Sequence, residues 1–319
     1  MWGVIMKTVF VVNPKAGLGK SFKGVLDDIK KNNGEVYITK SKGDATEFVK
    51  NYIFENGEAR FIACGGDGTY SEVLSGVMEA GCGEAGVMPV GSGNDFCRNF
   101  GEKDKFMSFN ELINAPAIDC DVIKYVINYK DEKKTGYSAN MINIGFDCAV
   151  ADTTNTVREK TVFSGSAAYL VSIFINLIKK ATSDFYIETD GKKRYDGEVL
   201  LTSVANGCFC GGGLKTNPIA LTNDGFLNIN IVKNISRLKF LTVLPEYIKG
   251  SYIGKKKFEK IVTSEKVKTV KIIPKKTSIR ISVDGEIMDA ETLEFEIIHN
   301  AYKFANPYAN VPFLEEIHI

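Results

Sequence analysis

The chain has 319 residues, 44% hydrophobic and 25% charged, with 40 Lys and Arg against 39 Asp and Glu. That balance excludes a disordered or low-complexity chain, and the length allows two domains. Seven cysteines without a CxxC pair and only two histidines argue against a disulfide framework or a dense zinc site, so reduced thiols of a cytosol fit best.

The first residues, Met1 to Lys7, carry no basic n-region, long apolar core or cleavage site, so neither a secretory signal nor a membrane anchor is expected. Residues 8–12 read as a strand that runs into Asn13, Pro14, Lys15, Ala16 and Gly17. Gly19-Lys20-Ser21 suggests a phosphate-binding P-loop, but the glycine that motif needs five residues earlier is Pro14, with a fixed φ and no amide hydrogen. Residues 21–32 read as a helix with Phe22, Val25, Leu26 and Ile29 at helical spacing, ended by Gly34. A strand follows over 35–39, then a helix over 44–56 with Asp44 and Glu47 in capping-box spacing, then a strand over 60–64. Alternating strands and helices predict a parallel sheet covered on both faces, with a ligand cleft at the carboxyl ends of its strands.

Two junctions stand at such ends. Phe61 to Cys64 runs into Gly65-Gly66-Asp67-Gly68-Thr69 and a helix over 71–80, and Val87 to Val90 runs into Gly91-Ser92-Gly93-Asn94-Asp95-Phe96. Glycines allow positive φ and close approach to a ligand, Asp67 puts a carboxylate where a helix begins, and Thr69 adds a hydroxyl. Such a junction suits phosphate and metal, although each alone is also an ordinary turn.

These two motifs, preceded by Asn13-Pro14-Lys15-Ala16-Gly17, resemble in combination and order the catalytic domain of soluble bacterial diacylglycerol kinases, whose superfamily includes sphingosine and ceramide kinases. GGDG alone is shared with NAD kinases and phosphofructokinases. The resemblance implies an α/β plus all-β chain. A doubly wound parallel-sheet domain of NAD kinase and phosphofructokinase type spans 1–120, with 302–319 packing back on it. An antiparallel β-sandwich domain for the lipid substrate spans 121–301. It implies transfer of the γ-phosphate of ATP to a lipid hydroxyl with Mg2+, diacylglycerol being the family's usual acceptor. Sphingoid bases, ceramide and undecaprenol are the alternatives, with an NAD kinase or a non-catalytic lipid-binding regulator as rivals. The nucleotide contacts it implies are Asn13, Pro14, Lys15, Ala16, Gly17, Thr39, Gly65, Gly66, Asp67, Gly68, Thr69, Tyr70, Ser71, Glu72, Gly91, Ser92 and Asn94. Asp67 and Asp95 would organise catalytic magnesium, with Asp67 an alternative general base.

Beyond residue 119 short runs such as 122–129, 139–144 and 198–205 alternate or bunch apolar residues between Gly, Asn and Asp, which reads as β-structure. One helix is expected over 166–180. The uncharged run 161–178 around it lies at the short end of a spanning length, contains Ser, Gly and Asn and leads into Lys179-Lys180, so a buried or interfacial helix is expected rather than a transmembrane one. Further strands are expected over 226–233, 267–273, 277–283 and 292–298. Asp284-Gly285-Glu286 is a hairpin turn by its residues, and the resemblance makes Glu286 the candidate general base. Likewise Asp224 is expected from the resemblance to hold a structural magnesium with the carbonyls of Leu221 and Phe226, oxygen ligands of the kind that cation takes. The pair Cys208 and Cys210 is read as packing.

Between Lys233 and Arg280 fourteen Lys or Arg face three Glu, so this segment carries +11 and the remainder −10. Lys255, Lys256 and Lys257 beside Tyr252, Ile253 and Phe258 point to an anionic membrane rather than nucleic acid. The expected partners are therefore a membrane lipid substrate and an acidic bilayer surface touched peripherally by a cytoplasmic protein, with a homodimer admitted.

Overall fold

The computed structural model describes residues 6–19, 22–145, 153, 172, 182–275, 278–284 and 286–309. The chain divides into two compact units, one of Met1–Gly91, Phe100–Cys120 and Tyr302–Ile319, the other of Ser92–Asn99 and Asp121–Ala301.

In the first unit β1 (Thr8–Val12), β2 (Glu35–Ile38), β3 (Arg60–Gly65) and β4 (Glu84–Pro89) form a parallel sheet in the order β4-β3-β1-β2. Val9 to Val12 and Phe61 to Cys64 are buried without alternation, as strands covered on both faces require. The end of β15 (Thr292–Ala305) extends this sheet, with Lys303 and Phe304 parallel to Glu84 and Ala85. Helices α1 (Phe22–Lys31), α2 (Asp44–Asn56) and α3 (Asp67–Ala80) connect the strands, and α4 (Lys103–Phe106) and α5 (Phe109–Ile113) follow β4.

Two local expectations change. Helix α3 begins at Asp67, four residues before the expected start, because Gly66 serves as its N-cap and the Gly68 that lowers helix propensity lies in its first turn. The capping box of α2 does not form. Its N-cap is Gly43 in the left-handed region, and Asp44 turns back to accept from Tyr37 Oη at 3.0 Å and Lys40 N at 2.8 Å.

The second unit is β-rich. Strands β5 (Ala117–Tyr129), β6 (Glu132–Ser138), β7 (Met141–Gly145), β8 (Ser183–Thr189), β9 (Lys192–Ala205), β10 (Leu227–Lys233), β11 (Val262–Val267), β12 (Thr269–Pro274), β13 (Ile279–Val283) and β14 (Glu286–Ala290) lead to β15. The path β14-β13-β7-β9-β8-β12-β15 is antiparallel throughout, β10 lies between β9 and β11, and β5 pairs with β15 and β6. Alternate residues such as Ile142, Ile144, Ile187, Ile229 and Ile281 meet in one core. Helices α6 (Arg237–Ile248) and α7 (Lys256–Glu259) close a second cluster built on Phe240, Tyr247, Tyr252 and Phe258. The helix expected over 166–180 lies outside the described residues except at Ser172, which is helical and buried.

Candidate active site

In the first unit the carboxyl edge of the parallel sheet gathers the sequence-predicted residues. Asn13 to Gly17 follow β1, Thr39 follows β2, Gly65 and Gly66 end β3, and Gly91 follows β4. The turns are tied together. Asn13 Nδ2 donates to Thr69 Oγ1 at 3.0 Å while its Oδ1 accepts from Lys15 N at 2.9 Å. The Gly65 carbonyl accepts from both Val90 N at 3.0 Å and Gly91 N at 3.1 Å, which joins the two Gly-rich junctions.

The glycines serve close approach more than unusual backbone angles. Among the described residues Gly65, Gly66 and Gly68 have no positive φ, whereas Gly17 (φ 57) and Asn94 (φ 56) do. A Cβ at Gly65 would lie 2.2 Å from Thr69 Oγ1, so only glycine lets α3 fold back on β3. A Cβ at Gly68 would meet nothing within 4 Å, which leaves the first turn of α3 open on that side. The N-cap of α3 is Gly66, which has no side chain to offer, and half-buried Asp67 is the first residue of the helix. Cys64 beside the turn is fully buried, and burial pushes its thiol well above the usual range, against any thiolate role.

Several predicted contacts have other duties. The Glu72 carboxylate accepts from Gly43 N at 3.0 Å and Ala45 N at 3.3 Å, capping α2 from a helix away. Tyr70 is buried, with its hydroxyl 2.8 Å from Tyr302 Oη and its ring edge-on to Phe304. Lys15 is exposed, and Thr39 is buried with its amide bonded to Val12 O at 3.0 Å.

In the second unit Asp95 is buried, and its carboxylate accepts from Gly212 N at 3.0 Å and Gly213 N at 2.7 Å, with Arg98 Nε at 3.8 Å. Asn94 beside it is buried and Ser92 exposed. The β13–β14 hairpin forms as expected, with Val283 opposite Glu286. Asp284 takes φ 46 in its turn, and its Oδ1 accepts from Ser138 Oγ at 2.8 Å and Met141 N at 3.2 Å. Asp284, two residues before Glu286, is thereby tied to the end of β6 and the start of β7.

At the predicted magnesium loop Asp224 Oδ1 accepts from Phe226 N at 3.1 Å and Oδ2 from Lys266 Nζ at 2.5 Å, while Leu221 and Phe226 expose their side chains. A carboxylate with two carbonyls is chemically a magnesium donor set, and a cation there would displace the Lys266 ammonium. Sequence reasoning missed the residue that holds this loop. Asp121, fully buried, accepts from Gly225 N at 2.7 Å and Asn300 N at 2.8 Å and bonds His299 Nδ1 at 2.8 Å. Its signal was available as an acidic residue among the apolar neighbours of a strand.

The diacylglycerol kinase catalytic domain matches residues 7–125, and the YegS C-terminal NAD kinase beta sandwich-like domain matches residues 140–305. A "Probable lipid kinase YegS-like" of Pseudomonas fluorescens is 30% identical, covering 82% of this chain and 81% of that protein. A "Diacylglycerol kinase" of Mycobacterium tuberculosis is 25% identical over 95% of this chain and 96% of its own. The crystal structure of a diacylglycerol kinase from Bacillus anthracis shares the fold with a TM-score of 0.67 at 22% identity, covering 94% of this chain and 96% of that one.

Proposed function

This chain belongs to the family of YegS-like lipid kinases and diacylglycerol kinases, and from that premise we propose that it transfers the γ-phosphate of ATP to a lipid hydroxyl, with diacylglycerol as acceptor and phosphatidic acid as product. The observation that supports this reading most is the carboxyl edge of the first unit's sheet, where the Gly65 carbonyl joins two Gly-rich turns and α3 begins behind a glycine N-cap, Gly66. A helix start attracts phosphate, with its positive dipole end and its first-turn amides. Asp67 at that same start adds a negative charge, so a cation is needed between it and a polyphosphate.

The reaction forms a bond from the lipid oxygen to the γ-phosphorus, breaks the bond to the β–γ bridging oxygen, and releases ADP. Glu286 takes the hydroxyl proton in this proposal, on a hairpin kept in place by Asp284. Asp67 is the carboxylate proposed to hold magnesium and its waters. Magnesium supplies neutralisation of phosphate charge. Asn13 and the amides that follow it position the nucleotide, and Asp224 with the Leu221 and Phe226 carbonyls would hold a second, structural magnesium. The substrate stays in a bilayer, so the protein works at an anionic membrane surface.

Incubation with ATP, magnesium and dispersed diacylglycerol, sphingosine, ceramide and undecaprenol, followed by mass spectrometry of the lipids, tests this reading. Phosphorylated diacylglycerol is the expected product. Another phosphorylated lipid would move the substrate, and none at all would overturn the kinase reading.

A further inference from the structure

The basic segment is not built as its sequence suggests. Tyr252 and Phe258, flanking Lys255 to Lys257, are 2% and 3% exposed and pack with Tyr247 in the core under α6, so they cannot enter a membrane. Lys255 and Lys257 both pair with Glu246. The apolar groups that do reach solvent are others. Leu238, in the first turn of α6, is 78% exposed and stands between Arg237 and Lys239. Ile253, in the turn between α6 and α7, is 45% exposed.

The burial pattern explains this arrangement. Phe240, Val243, Leu244 and Tyr247 face inward along α6, while Leu238, Thr242, Pro245 and Lys249 share its outer stripe at helical spacing and are exposed. From Arg237 to Lys260 seven Lys or Arg stand against two Glu. Glu246 is the partner of Lys255 and Lys257. Among the described residues no ion pair involves Arg237, Lys239, Lys249 or Lys256. Exposed aliphatic side chains flanked along the chain by cations that pair with no carboxylate among the described residues match an acidic bilayer, where the cations meet headgroups and the aliphatic groups enter the acyl boundary.

We propose that the outer face of α6 and the turn after it form the membrane-docking surface, with Leu238 and Ile253 as apolar anchors and Arg237, Lys239, Lys249 and Lys256 as headgroup contacts. This rests on the lipid-kinase reading only for the reason a membrane is visited; the contact itself needs neither nucleotide nor turnover.

The test is sedimentation of the full chain with phosphatidylglycerol vesicles and with phosphatidylcholine vesicles, without ATP. Two variants are compared with the parent. Leu238→Ser with Ile253→Ser keeps all charge, and the quadruple charge reversal of Arg237, Lys239, Lys249 and Lys256 to Glu keeps both anchors. All six positions are exposed, and circular dichroism checks folding. The parent is expected to sediment with phosphatidylglycerol alone, the serine variant to partition at least ~10-fold less, and the charge reversal at least ~10²-fold less. Activity on detergent-dispersed lipid should stay within about twofold for both, since neither variant changes a proposed nucleotide or catalytic residue. Parent-like sedimentation of both variants overturns the proposal. So does loss in the charge reversal alone, which describes generic attraction to polyanions, nucleic acid included. A chain that phosphorylates no lipid yet sediments in a Leu238-dependent way keeps the docking surface and removes the kinase reading.

Discussion

Glu286 and Glu72 are both acidic residues implied by the family resemblance, and they call for opposite experiments. Glu286 pairs with Val283 in a hairpin whose Asp284 is held by Ser138 and Met141, so Glu286→Gln should fold as the parent does and lose about 10² to 10⁴ in turnover, the scale of a general base. Turnover near the parent level would return the base role to Asp67. Glu72 already has work, holding the Gly43 and Ala45 amides at the start of α2. Replacing it by alanine leaves those amides without a carboxylate and should cost about 1–2 kcal/mol in a urea titration. A variant as stable as the parent but weak in ATP binding would instead make Glu72 a nucleotide ligand.

Between elements, the contact of α2 with α3 depends on a glycine that no motif marks. A Cβ at Gly76 would lie 2.7 Å from Val49 Cβ and 2.8 Å from the Thr46 carbonyl, and the Thr46 hydroxyl in turn donates to the Glu72 carbonyl at 2.9 Å. Gly76→Ala raises intrinsic helix propensity by about 1 kcal/mol yet forces two helices apart. A net destabilisation of about 1–3 kcal/mol is expected, by analogy with overpacked cores. A raised melting temperature in this variant would mean that the helices accommodate the methyl group. Element types were largely legible beforehand. Strands β1 and β3 of the first unit announce themselves as unbroken apolar runs, and the β13–β14 hairpin by its Asp-Gly turn. Strand β6, Glu132–Ser138, is largely exposed over its polar first residues and carries no such pattern, since a solvated strand does not need one. The start of α2 at Asp44 was legible although Glu72 and not its own first turn caps it, whereas α3 starts at Asp67, among glycines that read as a loop.

At the scale of the whole molecule, ATP with magnesium should stabilise the fold if the proposed site exists, by about 2.7 kcal/mol at a hundredfold excess over Kd. Differential scanning calorimetry with and without a chelator reads this, and an unmoved transition at saturating nucleotide would withdraw the site. The α/β and β-rich halves, the order of the Gly-rich turns and the sign of the charge on 233–280 can be read along the chain, because periodicity, backbone permission and composition are local properties. Only the tertiary structure decided which polar groups meet. Asp95 finds the Gly212 amide across 117 residues and Asp121 finds His299 across 178. It also decided which apolar groups face water, burying Tyr252 and Phe258 and exposing Leu238. The physical reason is that spacing along a chain specifies which residues share a face of an element, whereas the partner of a buried carboxylate, and the burial of an aromatic in a turn, depend on which distant segment packs against it.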